Sequence, residues 1–68
     1  MAKMTMRAAR VNAGLDQKTA ASSLSVSNKT LSNWEAGKSF PKANKIVEIC
    51  ELYGISYDDL IFLNSNPL

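Results

Sequence analysis

Between positions 27 and 33 the chain carries short hydrogen-bonding side chains and one cation, with no carboxylate among them. These side chains are Ser27, Asn28, Lys29, Ser32 and Asn33. Amides can pair with adenine edges, and lysines and hydroxyls with bases or phosphates, so the chemistry is that of a surface that contacts nucleic acid. A face that only keeps a helix soluble more often carries pairs of Glu and Lys.

The elements that must position this polar segment are two helices joined by a tight turn. Leu31 and Trp34 are three residues apart, so a helix places them on one side and leaves the polar side chains on the other. In the preceding segment, Ala20 and Leu24 would face inward, and the small Ala21 lets two helices approach closely. Residues 17–36 are therefore predicted to form a helix-turn-helix unit.

Residues typical of helix starts and helix ends recur along the sequence. Their positions predict an all-α fold, a compact bundle of five short helices in a single domain over residues 1–63. The helices are expected at about 5–13, 17–24, 28–36, 43–53 and 57–63. The expected N-caps are Thr5, Asp16, Ser27 and Ser56. Each of the three glycines follows a helix-like segment, as C-terminal capping requires, and no stretch alternates as a strand would. Residues 64–68 are expected to form a frayed tail.

The fourth predicted helix is the most apolar and is expected to be central to the bundle. Its main stripe would be Ala43, Ile46, Val47 and Cys50, widened by Ile49, Leu52 and Tyr53. Cys50 on this stripe is interpreted as a packing residue in preference to a reactive one, because free cysteine commonly behaves as a small buried hydrophobe.

Charge is distributed unevenly along the 68 residues, although the net charge is only +2. All eight Lys and Arg residues precede position 46, and from Glu48 onward there are four acids and no basic residue. Chance clustering on a solvated surface is one explanation. The other is that one face meets a polyanion while the opposite end is kept away from it.

Composition excludes several classes of protein. With no His and one Cys, a structural zinc site is excluded, and no cofactor is expected. No nucleophile–base pair or glycine-rich phosphate loop is present, so an enzyme is not expected, nor is a small-molecule substrate. No apolar run approaches the ~18 residues of a membrane span, and the N-terminus has no secretory signal. A cytoplasmic protein that makes no contact with a membrane is predicted.

From Met6 to Leu60 the sequence resembles the lambdoid phage repressor and Cro superfamily, also called the XRE-type helix-turn-helix family of phages and bacteria. The segments that carry the resemblance are GLDQ, SNKTLSNWEAGK and LYGISYDDL. Together with the rest of the match they cover about four-fifths of the chain. The resemblance implies a lambda-repressor-like DNA-binding domain.

The resemblance also implies roles for individual residues. Gln17 would grip the sugar-phosphate backbone, and the segment after the second helix of the unit would track phosphates. Arg10 and Glu35 would form a partly buried ion pair, which would neutralise an acid on a DNA-facing helix; the alternative for Glu35 is a solvated surface position. The candidate DNA-binding residues are Gln17, Lys18, Ser27, Asn28, Lys29, Thr30, Ser32, Asn33, Lys38, Ser39 and Lys42.

Three departures from the family pattern lower the expected stability of the fold. Ala20 stands where a large aliphatic residue is common. Ser25 replaces the usual glycine of the turn, at a cost of roughly 1 kcal/mol if its backbone is left-handed. Lys42 stands where a small N-cap residue is more usual.

The function expected from these observations is sequence-specific transcriptional regulation, Cro-like or repressor-like, with the 28–36 helix in the major groove of double-stranded DNA at a two-fold operator. A homodimer is expected, at least on DNA, with Ile61, Phe62 and Leu63 as its surface. Alternatively, Phe62 closes the core of a monomer. Two further alternatives are the DNA-binding part of a longer repressor and a modulator or anti-repressor that binds a partner regulator protein.

Overall fold

Four α-helices and one short pair of parallel strands make up the protein in a computed structural model that describes residues 3–63. The elements are β1 (Met4–Thr5), α1 (Met6–Asn12), α2 (Gln17–Ser23), α3 (Asn28–Ala36), α4 (Ala43–Tyr53), a single 3-10 turn (Tyr57–Asp59) and β2 (Leu60–Ile61). The predicted tail over residues 64–68 lies outside the described residues.

The first three helices begin where the N-cap rules place them. The side chains of Thr5, Asp16 and Ser27 each accept a hydrogen bond from the backbone N–H three residues later, over 3.1, 2.7 and 3.0 Å. Each bond satisfies one of the N–H groups that a helix start leaves without a partner. As expected, Lys42 makes no such side-chain bond at the start of α4.

The predicted fifth helix over 57–63 is wrong, and with it the purely α-helical bundle. Only Tyr57–Asp59 are helical, as one 3-10 turn, and Ser56 forms no hydrogen bond from its side chain to a backbone amide there. The chain then extends into β2, which pairs with β1 in register Met4–Leu60 and Thr5–Ile61. Two-residue strands are too short to show alternation, and the partners lie at opposite ends of the chain, so no local pattern marks them.

The core collects one buried side chain or more from each of the four helices and from β2. Its buried members are Met6, Ala9, Ala20, Ala21, Leu24, Leu31, Trp34, Ile49, Tyr53 and Leu60. The fully buried Leu24, Leu31 and Ile49 are its largest enclosed side chains, and they tie α2, α3 and α4 together. The helix-turn-helix unit is thus held against α4 by apolar burial.

The apolar stripe predicted along α4 needs correction. Ile49 and Tyr53 are its buried residues, whereas Val47 is 58% exposed and Ala43 is exposed. The other members, Ile46, Cys50 and Leu52, are partly buried. Only one side of α4 is covered, because among residues 3–63 no fifth helix packs on its other side. The uncovered side forms a groove of about 420 Å³, here called the α4 groove, lined by Ala43, Ile46, Val47, Cys50, Glu51 and Tyr57.

Candidate nucleic-acid interface

Helix α3 separates an apolar side from a polar one. Leu31 and Trp34 are buried against the core. On the other side, Asn28, Lys29 and Ser32 are exposed and Asn33 is half-buried. These four residues are called the polar face below. They present donors and acceptors without a free carboxylate, the composition that suits base edges.

The start of α3 uses two of the candidate DNA-binding residues for its own cap. Ser27 accepts the backbone N–H of Thr30, and its hydroxyl donates to Thr30 Oγ1 over 2.9 Å. The single O–H of Ser27 is therefore engaged within the helix start. What the pair can still offer a ligand is acceptor capacity on Ser27 and the hydroxyl hydrogen of Thr30.

An ion pair joins α1 to α3 behind the polar face. Arg10 Nε donates to Glu35 Oε2 over 2.7 Å, and Arg10 Nη2 donates to Glu35 Oε1 over 3.3 Å. The third guanidinium nitrogen, Nη1, donates to the carbonyl of Leu15 over 2.9 Å. The two side chains are only 10% and 6% exposed. Because the Glu35 carboxylate accepts its hydrogen bonds, the pKa of Arg10 is raised, and Glu35 brings no net negative charge to this side of the molecule.

Gln17 is attached to the same carboxylate. Its Nε2 donates to Glu35 Oε1 over 3.2 Å, across the junction between α2 and α3. One N–H of the amide is thereby fixed and the second remains for another acceptor. This contact orients Gln17 before any ligand arrives, which lowers the entropy cost of binding.

Tyr53 lies close enough to this ion pair to feel its charge. Burial, together with the Glu35 carboxylate, raises the pKa of Tyr53 to about 12. Within residues 3–63 its buried hydroxyl has no hydrogen-bond partner. Sequence reasoning assigned Tyr53 to the core alone. Nothing in the sequence indicated that Tyr53 lies near the Arg10–Glu35 ion pair.

The remaining candidate residues lie on α2 and on the loop that follows α3. Lys18 is exposed on α2, and Lys38, Ser39 and Lys42 are exposed on the loop between α3 and α4. In the described part of the chain the ion pairs are Arg10–Glu35 and Lys45–Glu48, so these lysines keep their charge unpaired. Exposed, unpaired lysines are suited to phosphate contacts.

Comparison with known proteins identifies a family for this chain. A family described as a helix-turn-helix domain matches residues 5–65. The chain belongs to that helix-turn-helix family. It is also 36% identical over 56 residues to the HTH-type transcriptional regulator ImmR of Bacillus subtilis (strain 168). The matched segment covers 82% of this chain and 44% of the relative. No solved structure matches. The predicted membership of the XRE-type family is confirmed, and the chain spans less than half the length of the curated relative it matches.

Sequence reasoning missed a contact that Lys45 makes at the turn of the helix-turn-helix unit. Ser25 has a left-handed backbone with φ of 58°, the conformation that makes a non-glycine residue costly. The ammonium of Lys45, on α4, donates to the carbonyl of Leu24 over 2.7 Å, one residue before this strained position. The available signal was a lysine directly before the apolar Ile46 and Val47 of α4.

The residues expected to pair two copies of the helix-turn-helix domain are only partly available. Ile61 is 40% exposed and Leu63 is 44% exposed, while Phe62 is half-buried with its ring centroid 6.1 Å from that of Tyr57. They lie on and after β2, so they do not form the helical turn that was predicted.

No helix in the described residues is long and apolar enough to cross a membrane. No group of three or more potential metal ligands occurs among residues 3–63.

Proposed function

We propose that this protein is a sequence-specific DNA-binding transcriptional regulator that inserts α3 into the major groove of an operator. The observation that carries the proposal is the two-sided character of α3. Its apolar side is locked into the core by Leu31 and Trp34, and its polar face is left uncovered and free of unpaired acids. A rigid support of this kind holds base-contacting side chains in register.

The proposed interface makes two kinds of contact, one to base edges and one to phosphates. Asn28, Lys29 and Asn33 contact base edges, where an amide can pair with adenine and a lysine with guanine. Gln17, Lys18 and the loop residues Lys38, Ser39 and Lys42 contact phosphates and set the position of the domain on the duplex. Shorter side chains supply further hydrogen bonds at the edge of the major groove, from Ser27, Thr30 and Ser32.

The regulator acts as a homodimer on a two-fold operator, whether it is Cro-like or repressor-like in its biological role. A single domain of this size covers one half-site, and pairing across half-sites ~34 Å apart raises affinity. The apolar side chains of Ile61 and Leu63 are the candidate surface, with Phe62 beside them. The acidic C-terminal part of the chain would remain away from phosphates.

A second candidate is a modulator that binds another regulator protein. The α4 groove favours it, because Val47 and Tyr57 are 58% and 60% exposed there and form an uncovered apolar surface. A protein of this kind would bind a partner repressor tightly and show no salt-dependent retention on DNA.

Selection of preferred sites from randomised duplexes, followed by affinity measurements, tests the first candidate. Asn33→Ala and Lys29→Ala should each weaken binding to the selected operator by ~1–3 kcal/mol and relax specificity at one position. Asn12→Ala and Lys3→Ala are the matched controls, since both residues are exposed and lie outside the proposed interface. Equal affinities in all four variants, with unchanged helical spectra, would exclude α3 as the base-contacting element.

A further inference from the structure

A polar cleft of about 520 Å³ opens beside the polar face, at the meeting point of α1, α2 and α3. It is called the Arg7 cleft here. Its lining residues are Arg7, Arg10, Gln17, Ser32, Glu35 and Ala36. Arg7 is the one charged residue of this lining that takes no part in the Arg10–Glu35 ion pair.

The charges inside the Arg7 cleft do not cancel. The three guanidinium nitrogens of Arg10 donate hydrogen bonds to Glu35 and to the carbonyl of Leu15. Both carboxylate oxygens of Glu35 accept hydrogen bonds from Arg10. That pair is neutral as a unit. Arg7 is exposed and makes no hydrogen bond or ion pair within the described part of the chain. The cleft therefore carries one available positive charge.

Two hydrogen-bond donors line the same cleft as this charge. The second N–H of the Gln17 amide is free because Glu35 fixes the first, and the Ser32 hydroxyl is exposed at the α3 wall. The nearby acid, Asp16, accepts the backbone N–H of Thr19 and is not among the lining residues. One guanidinium with an amide and a hydroxyl is a donor set that matches a phosphate, which arginine can bind through two parallel N–H···O bonds.

We propose that the Arg7 cleft binds one phosphate of the DNA backbone and that Arg7 is its charged contact. This inference rests on the proposed function and extends it to α1. Ser32 and Ala36 lie one helical turn apart on α3, so the cleft runs along the edge of the polar face and a phosphate there would flank the bases that α3 contacts. Arg7 then anchors α1 to the same strand that Gln17 contacts.

Salt titrations on a random-sequence duplex test the proposal, because phosphate contacts do not depend on sequence. Arg7→Gln should flatten the slope of log affinity against log salt by about 0.9, the value for one phosphate of B-DNA. Between 50 and 200 mM salt, the wild type should therefore lose about 3.5-fold more affinity than the variant. Lys3→Gln removes an equal charge from an exposed position outside the cleft and should leave the slope unchanged. Arg7→Lys should keep the slope, since it keeps the charge.

Circular dichroism should give the same helical signal for all variants, because Arg7 and Lys3 are exposed; Arg7→Ala replaces the Gln variant if that one fails to fold. Equal slopes for Arg7→Gln and Lys3→Gln would overturn the assignment of the cleft while leaving the proposed function intact. A changed preferred sequence in Arg7→Gln would also overturn it, by making Arg7 a base contact. Failure of the wild type to bind any duplex would overturn the proposed function itself, and the cleft proposal with it.

Discussion

The helix-turn-helix unit and the C-terminal part of the chain expose opposite kinds of surface. The unit shows amides, hydroxyls and unpaired lysines to solvent, whereas the segment from α4 to β2 exposes apolar side chains beside acids. Val47, Tyr57 and Ile61 are all at least 40% exposed in the second region. Under the proposed function, the first surface meets DNA and the second is left for a protein, either another copy or a partner.

The two regions also differ in how their local structure is fixed. Both helices of the unit have a side-chain cap, from Asp16 and from Ser27. Helix α4 starts at Lys42 without one, and the segment after it is held by pairing with β1. The unit thus follows from short-range rules, while the C-terminal segment follows from a contact across the whole chain.

The largest expected effect is on the ion pair that fixes α1 to the unit. Arg10→Met leaves the Glu35 carboxylate buried without its partner, and the free energy of unfolding should fall by about 3 kcal/mol. Adding Glu35→Leu should recover part of that loss. Arg7→Met, one turn earlier on α1 and exposed, is the control and should change stability by less than about 0.5 kcal/mol. An equal denaturation midpoint for Arg10→Met and Arg7→Met would show that the pair contributes nothing.

The next effect concerns the point where the C-terminal segment touches the end of α3. Gly37 has φ of 78°, and a Cβ there would lie 2.8 Å from the carbonyl oxygen of Leu63. Gly37→Ala should therefore lower the free energy of unfolding by about 2 kcal/mol, because of backbone strain and overpacking.

Gly14→Ala is the matched control for Gly37→Ala, because its φ is 77° and its Cβ would meet open space. Gly14→Ala should lower the free energy of unfolding by about 1 kcal/mol, because of backbone strain alone. Urea denaturation separates the two. Equal losses would mean that Leu63 yields without cost and that the C-terminal segment does not brace α3.

The sequence was informative where the physical cause is local. Thr5, Asp16 and Ser27 act on amides three residues away, so side-chain type and spacing were enough to place three helix starts. Leu31 and Trp34 followed from helical periodicity. The contact between Arg10 and Glu35 spans 25 positions and was expected only because an acid on this helix needs a counter-ion and because the family pattern supplies one.

The sequence was uninformative where the cause is tertiary. Residues 60–63 are an apolar run that suits a helix end or a strand, and only the proximity of Met4–Thr5 selects a strand, at Leu60–Ile61. Likewise, the apolar arc of α4 could not show which side would be covered. Because nothing packs on its far side in the described structure, Val47 remains exposed while Ile49 is enclosed.

A smaller effect is expected where α4 supports the turn of the unit. Lys45→Met removes the 2.7 Å hydrogen bond to the carbonyl of Leu24. This bond is charge-assisted, and the Lys45 side chain is 24% exposed. The free energy of unfolding should fall by about 1.5 kcal/mol. Lys38→Met, on the exposed loop, serves as the control for loss of one lysine charge. A matching denaturation midpoint in the two variants would mean that the turn does not need α4.

The difference in capping between the two regions can be tested by substitutions in opposite directions. Ser27→Ala removes the cap of α3 and should cost about 1 kcal/mol. Lys42→Ser supplies a cap to α4, which has none, and should add about 0.5 kcal/mol. Thermal melts at one pH measure both. A loss of stability in Lys42→Ser would indicate that the lysine at this position has a structural role that capping does not describe.

The smallest effect is the pH dependence of the α2 cap. The backbone N–H of Thr19, followed by its side chain, lowers the pKa of Asp16. Because its pKa is lower in the folded state than in the unfolded chain, Asp16 contributes stability above the unfolded pKa, and that contribution disappears as pH falls through the folded pKa. Asp16→Asn keeps a capping oxygen but cannot ionise.

The stability difference between the wild type and Asp16→Asn should therefore shrink steadily as the pH is lowered from about 5 to below 3. Asp58→Asn is the control for loss of an exposed carboxylate outside the three capped helix starts. Denaturation curves collected across this range give the comparison. If the Asp16→Asn and wild-type profiles stay parallel, the charge of Asp16 adds nothing to its cap. The start of α2 would then be held as any neutral cap would hold it, and the contrast with the uncapped α4 would be one of geometry alone.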